Sequence, residues 1–208
     1  RDRGSYVGGL FVFESKLTQE FRLHFDEKIA EMFQSIGIRE GSVWIEVFHD
    51  GENYYFNEVG FRYGGSVSIY PVDYFYQINQ VAADIHYALT GESCISEHTS
   101  LIRSTLPRKK YYCIYPVHIN AGTISSISGL DKIAQLENIV YLATTKYLHD
   151  RIESSGSFSQ VFALVHFVCN TTEECIQTID RIHQMLVVFD EHGNNMVNRM
   201  LDVGKIIF

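Results

Sequence analysis

The chain has 208 residues and a formal net charge of −8, with 46% hydrophobic and 20% charged residues. This balance is typical of a globular protein with a buried core, and it excludes intrinsic disorder. No apolar run of about 20 residues predicts a transmembrane helix, and residues 1–5 lack the apolar segment of a signal peptide. The acidic charge, with no basic run longer than 108–110, disfavours nucleic acid as the main partner.

The four cysteines Cys94, Cys113, Cys169 and Cys175 show no C-x-x-C spacing and no neighbouring histidine cluster. This pattern predicts reduced, mostly buried thiols rather than a zinc site. We therefore expect a cytoplasmic protein that binds neither membranes nor nucleic acid.

The first half of the chain predicts a helix followed by a hairpin and a second helix. Apolar residues recur at helical spacing over Gln19–Ile36, and Gly37 ends this helix. A strand is predicted at Val43–Phe48, where the residue pattern alternates, and a returning strand at Tyr54–Val59. The Asp-Gly turn between them favours a hairpin. A glycine-rich loop over 60–66 leads to a predicted helix over Pro71–Leu89.

After a polar linker over 92–110, the pattern changes to short strands. Strands are predicted at Tyr111–Val117, Gly122–Ile124, Ile139–Lys146 and Val161–Val168. A helix is predicted from Thr171 to about Leu186, with Thr171 and Glu174 placed as a capping box. This half of the chain is therefore predicted to be a compact α+β or barrel-like unit.

Glu46 and Glu58 lie twelve residues apart on the two predicted hairpin strands, a spacing that lets them share one face of the sheet. A three-residue loop at 51–53 would place them directly opposite each other. A turn at 49–51 would move them four residues out of register. The sequence leaves both registers open.

Two facing carboxylates repel each other, by up to about 1 kcal/mol in a sheet. The aromatic residues Trp44, Phe48, Tyr54 and Phe56 are predicted to make this face apolar. A proton or a cation would relieve the repulsion, and Mg²⁺ bridged to phosphate suits carboxylate oxygens. The alternative is a pair of solvated glutamates on the outer face of the hairpin.

Residues 45–66 resemble the metal-binding hairpin and loop of the ATP-grasp superfamily, in which a strand with Glu is followed by a turn and a strand ending in Glu-x-Asn-x-Arg. The resemblance implies that Glu46 and Glu58 bind Mg²⁺ and that Arg62 is the catalytic arginine that meets the transferred phosphate. It also implies that Phe48 lies against the base of ATP. The expected cofactors are therefore ATP and Mg²⁺.

The sequence departs from this pattern at Gly60, which stands where the superfamily has an asparagine ligand. The form E-x-G-x-R-x-G-G resembles proteins similar to carbamoyl-phosphate synthase large subunits, and it leaves the number of Mg²⁺ ions open. Residues 111–133 and 158–182 resemble the C-terminal cap of enzymes similar to biotin carboxylase and phosphoribosylglycinamide synthetase.

The resemblance implies an α+β fold in which residues 1–91 form part of the metal- and phosphate-binding lobe and residues 92–208 form a C-terminal cap. It implies an ATP-dependent ligase that activates a carboxylate or bicarbonate as an acyl phosphate for attack by an amine. The expected partners are ATP and a small carboxylate substrate, and a homodimer is left open. The alternatives are a degenerate ATP-grasp module that serves in binding or scaffolding, and an interaction domain unrelated to ATP.

ATP-grasp enzymes hold the nucleotide's α- and β-phosphates with lysines that precede this hairpin, yet only Lys16 lies upstream of Lys28 here. We therefore expect the 208 residues to be a fragment that is inactive alone and binds ATP more weakly than about 1 mM. In the second half, His118 is predicted to be a structural strand residue, and residues 190–193 a solvated turn.

Overall fold

The computed structural model describes residues 8–65, 67–95, 110–199, 201–206 and 208. The contacts divide these residues into two units. The hairpin unit runs from Phe21 to residue 95, and the thiol unit combines the described residues up to Glu20 with those from 110 onward. Most of the predicted linker lies outside the described residues. Within the described ranges, no helix combines the length and apolar character that a membrane crossing requires.

The hairpin unit confirms the first predicted helix and both strands of the hairpin. Helix α1 covers Lys16–Ser35, and strands β2 (Trp44–His49) and β3 (Tyr54–Gly60) pair in antiparallel fashion. Phe21 and Phe25 of α1 pack against the rings of Tyr54 and Phe56, with centroid distances of 5.3 to 5.9 Å. Helix α1 therefore contacts one face of the hairpin, where Phe56 nevertheless remains 52% exposed.

The prediction of a single helix over Pro71–Leu89 is wrong. The structure has two helices, α2 over Ile69–Tyr76 and α3 over Gln80–Thr90. Gln77 adopts a left-handed conformation with φ 57°, which ends α2. The side chain of Asn79 then accepts a hydrogen bond from the N–H of Ala82, and this N-cap starts a new helix.

The thiol unit is built on an antiparallel sheet with the strand order β1-β4-β8-β6, in which a short β10 also pairs with β4. Within the described residues this sheet consists of β1 (Phe11–Phe13), β4 (Tyr111–Ile119), β6 (Ile139–Thr144), β8 (Val161–Cys169) and β10 (Val197–Asn198). A second antiparallel sheet has the order β7-β5-β9, with β5 (Gly122–Ser128), β7 (Arg151–Ile152) and β9 (Val187–Asp190). The strands predicted in this half are confirmed, whereas β1, β7, β9 and β10 were not predicted.

Helices α4 (Leu130–Ala134) and α5 (Thr172–Met185) complete the thiol unit, and the α+β class is confirmed. The hydroxyl of Thr171 accepts the N–H of Glu174, as predicted. The Glu174 carboxylate, however, accepts the N–H of Asn170 at 2.7 Å, one residue earlier than a capping box requires. The inner face of α5 joins the core through Cys175, Ile179 and Ile182.

Candidate metal and phosphate site on the hairpin

Glu46 and Glu58 are direct partners across the β2–β3 hairpin. Neither predicted turn produces this register, since His49 pairs with Tyr54 across a four-residue loop. A β-bulge follows Glu46, because Val47 pairs with Phe56 and Asn57 is left as an extra residue. Loop and bulge together restore the facing arrangement that a three-residue loop would give, with Cβ atoms about 4.5–5.5 Å apart.

The bulge changes which aromatic residues share a face with the two carboxylates. Because Asn57 and Glu58 together oppose Glu46, the alternation of side chains along β3 reverses at this point. Tyr54 and Phe56 therefore lie on the opposite face, where they pack against α1. The prediction that these two residues make the carboxylate face apolar is wrong.

The face that carries the carboxylates is open to solvent. Glu46 is half-buried and Glu58 is exposed, and Phe48 on the same face is 47% exposed. The amide nitrogen of Asn57 donates a hydrogen bond to the Glu46 carboxylate. Solvent lowers the cost of the facing charges, while the bulge residue orients one of them.

The hairpin turn is held by Asp50. Its carboxylate accepts the N–H groups of Asn53 and Glu52 at 2.8 and 2.9 Å, and the hydroxyl of Tyr55 at 2.9 Å. These bonds, the backbone bond from Asn53 foremost, lower the pKa of Asp50 to about 2. The turn therefore fixes the loop length, on which the register of the carboxylates depends.

Arg62 lies on the same side of the hairpin as the two carboxylates. Its guanidinium carbon is 4.9 Å from the centroid of the Trp44 ring, and Trp44 precedes Glu46 by two positions on one face of β2. Gly60 is the partner of Trp44 across the hairpin. A Cβ at Gly60 would lie 3.4 Å from the Arg62 side chain and 3.7 Å from the Trp44 ring.

The glycine-rich loop packs closely over Trp44. A Cβ on Gly64 would lie 2.5 Å from the Ser68 hydroxyl and 3.0 Å from the Trp44 ring, so a larger residue would require these side chains to move. The hydroxyl of Tyr63, in the same loop, donates a hydrogen bond of 2.7 Å to the Asp84 carboxylate of α3, and this bond raises the pKa of Tyr63. The loop that carries Arg62 is therefore fixed at two points.

The structure brings Glu46 and Glu58 together and places Arg62 and Phe48 on their face. Among the described residues, no third carboxylate, histidine or cysteine joins this pair to form a larger ligand cluster. Sequence reasoning missed Asn57, because the residues on either side of it do not mark the position of a bulge. Two carboxylates with open positions suit Mg²⁺, which retains water or phosphate oxygens as its other ligands.

His118 and the turn at residues 190–193, in the second half of the chain, do not form a second metal or phosphate site. His118 is buried on β4, where burial lowers its pKa and Nδ1 lies 3.2 Å from the Pro116 carbonyl. The Asp190 carboxylate accepts the N–H groups of His192 and Asn194, which closes the predicted turn. The bonds to Asp190 are those of a structural turn, whereas the buried Nε2 atom of His118 has no hydrogen-bond partner among the described residues.

No protein-family model matches the chain, and no curated protein matches its sequence. Its fold is similar to that of an L-amino acid ligase from Bacillus licheniformis, with a TM-score of 0.71, 21% identity, and coverage of 89% of this chain and 45% of that one. It is also similar to phosphoribosylglycinamide synthetase from Anaerococcus prevotii, with a TM-score of 0.70, 13% identity, and coverage of 91% and 48%.

A third similar structure is the biotin carboxylase domain dimer of Hydrogenobacter thermophilus 2-oxoglutarate carboxylase, determined with MgADP and bicarbonate. Its TM-score is 0.64 at 14% identity, over 93% of this chain and 40% of that one. These three proteins are ATP-grasp enzymes, so the resemblance is confirmed at the level of the fold. The chain spans less than half the length of each.

Proposed function

We propose that the chain is the metal-binding part of an ATP-grasp ligase, with Mg²⁺ held by Glu46 and Glu58. The observation that carries this proposal is the register of the hairpin, which sets the two carboxylates opposite each other on a solvent-open face. The metal- and phosphate-binding lobe would then be the hairpin unit and the cap the thiol unit, so the described residues up to Glu20, which the sequence assigned to the lobe with the rest of 1–91, would go with the 92–208 cap. A cytoplasmic location, where ATP is abundant, accords with it.

Each residue of the site has a distinct part in the proposed reaction. Bound Mg²⁺ would neutralise charge on the phosphates of ATP as the terminal phosphoryl group moves to the carboxylate substrate. Arg62 would bind the transferred phosphate, because its guanidinium is held in place by Trp44. Asn57 orients Glu46, and the exposed ring of Phe48 offers an apolar surface to the adenine base.

The substrate would be a small carboxylate or bicarbonate, converted to an acyl phosphate that an amine then attacks. The sequence form around Gly60 favours a ligase similar to carbamoyl-phosphate synthase. Gly60 also supports the second candidate, a degenerate module used for binding, because it removes one neutral ligand. Magnesium-dependent ATP turnover by a longer protein that includes a nucleotide-binding lobe would favour the ligase, and its absence would favour the degenerate module.

The metal site is tested directly on the 208-residue chain by NMR with Mn²⁺, which prefers the same oxygen ligands as Mg²⁺ and broadens nearby signals. We expect broadening at Glu46, Asn57 and Glu58, and its loss in Glu58→Gln. The matched control is Glu52→Gln in the same hairpin, which removes one charge from the exposed turn and should leave the broadening intact. Equal broadening in wild type and Glu58→Gln would contradict the proposal.

Nucleotide binding is expected to be weak in the 208-residue chain, with a Kd for MgATP above about 1 mM. Chemical-shift changes on titration with MgATP should fall on Phe48 and Arg62. In a longer protein that also carries a nucleotide-binding lobe, Glu58→Gln should lower turnover at least about a hundredfold, equivalent to about 3 kcal/mol. Calorimetry that finds micromolar MgATP binding, or near-normal turnover in Glu58→Gln, would exclude this assignment.

A further inference from the structure

Three of the four cysteines come together in the thiol unit, although they are far apart in sequence. Cys113 on β4 and Cys169 on β8 are diagonal neighbours on one face of the sheet, because Cys113 pairs with Phe167 and Tyr111 pairs with Cys169. Cys175 on α5 completes the cluster. All three sulfur atoms lie within 4.8 Å of one another.

The three clustered cysteines are free thiols, and the spacing of their sulfur atoms is compatible with a shared metal ion. The Sγ atoms of Cys113 and Cys169 are 3.7 Å apart, whereas a disulfide requires about 2.05 Å. A zinc ion binds thiolate sulfur at about 2.3 Å, which in a tetrahedral site separates neighbouring sulfurs by about 3.8 Å. Small side-chain rotations would bring all three sulfurs to that separation.

The cluster is buried but has a route to solvent. Cys113 and Cys175 are 0% exposed and Cys169 is 2% exposed. Cys169 also lines a surface groove of about 510 Å³, which carries the charged residues Lys110, Arg181, Glu137 and Glu174. A metal ion can enter through this groove, and water from the groove can occupy the fourth position, as in zinc sites with three protein ligands.

The ligand type selects the ion. Thiolates favour soft or borderline cations over hard ones such as Mg²⁺. Three thiolates with a divalent ion leave a net charge of −1, and the adjoining groove adds no formal charge, because Lys110 and Arg181 are balanced by Glu137 and Glu174. On binding, each thiol releases its proton to solvent and its sulfur forms one bond to the metal, with no change of oxidation state.

We propose that Cys113, Cys169 and Cys175 form a Zn²⁺ site in the core of the thiol unit, separate from the hairpin site. Such an ion would join β4, β8 and α5, so its principal effect would be on the stability of this unit. The fourth cysteine, Cys94, is exposed and lies outside the cluster, which makes it the natural control.

The test is a titration of the fully reduced 208-residue chain with Zn²⁺ in competition with a chromophoric chelator. We expect one equivalent per chain, a rise in Tm on binding, and sulfur-to-metal charge-transfer absorption when Co²⁺ replaces Zn²⁺. Cys94→Ala should retain all three signals. Cys169→Ala should weaken binding by at least about 10–100-fold, since loss of a direct ligand costs no less than loss of a supporting group.

Circular dichroism of Cys169→Ala without metal shows whether this variant folds, and Cys169→Ser provides a second variant at the same position. The Tm rise with Zn²⁺ in the unaltered chain tests the site without any substitution. The proposal is overturned if the reduced chain binds no stoichiometric Zn²⁺. It is equally overturned if Cys94→Ala loses as much affinity as Cys169→Ala, or if two of the three clustered thiols form a disulfide in the native chain.

Discussion

The hairpin unit and the thiol unit differ sharply in how much core they possess. In the thiol unit, eight of the nine residues of β4 and eight of the nine of β8 are buried. Helix α1, which enters the hairpin unit at Phe21, has no buried residue in 20. The described buried apolar side chains from Phe21 to residue 95 are Phe75, Ile78 and Ala83, beside Pro71.

The carboxylate site therefore lies on an exposed element with little core, whereas the thiol site lies inside a well-packed core. A two-stranded hairpin is marginally stable in isolation, so β2 and β3 depend on the α1 aromatic rings and on the Asp50 turn. The carboxylates stand on this thinly supported element, where solvent and ligands reach them. The thiols lie in a close-packed interior, where a thiolate is unfavourable unless a bound cation neutralises its charge.

The largest expected effect comes from the core of the thiol unit. Phe162 of β8 is 0% exposed, so Phe162→Ala should lower the free energy of unfolding by about 3–5 kcal/mol. Phe48→Ala removes a ring that is 47% exposed and should cost about 1 kcal/mol or less. Urea melts followed by circular dichroism measure both variants, and equal losses would contradict the contrast between the units.

The second prediction uses the single tryptophan, Trp44, which reports on the hairpin alone. Its fluorescence should change at least about 1 M urea before the far-ultraviolet circular dichroism signal, a gap of about 1–3 kcal/mol. The physical reason is the small buried area of this unit. Coincident transitions would show that the two units unfold together, which would contradict a lower stability of the hairpin unit.

Glu58→Gln gives a smaller effect of defined sign. Removing one of two facing charges should leave the free energy of unfolding unchanged or raise it by up to about 1 kcal/mol. Denaturant melts of Glu58→Gln and of the turn variant Glu52→Gln measure this difference. If Glu58 were structural, its replacement would instead destabilise the chain.

The smallest effect concerns the Asp50 turn and depends on pH. Because the folded pKa of about 2 lies below the unfolded value of about 3.9, the carboxylate stabilises the turn above pH 4. This stabilisation is lost as the pH falls through 2. NMR titration of the Asp50 side chain measures the pKa, Asp50→Asn confirms the assignment, and a midpoint near 4 would show that the turn bonds are absent.

Much of the local structure could be predicted from the residues. The Asp-Gly turn between aromatic, alternating runs predicted the hairpin, and helical spacing from Gln19 predicted α1. The even spacing of Glu46 and Glu58 predicted a shared face but left their register open, and the four-residue loop and the bulge decide it. The break at Gln77–Asn79 was missed because the apolar residues before and after it follow the same helical spacing.

The sequence by itself determined the elements whose signals are local, including the hairpin, α5 with its Thr171 cap, and the buried strands β4 and β8. It also carried the Glu-x-Gly-x-Arg spacing that resembles ATP-grasp proteins. Only the tertiary structure decided which face carries the carboxylates, because a one-residue bulge reverses side-chain alternation without changing composition. Only the tertiary structure brought the three cysteines together, because strand register and helix packing join residues 113, 169 and 175 with no trace in their spacing.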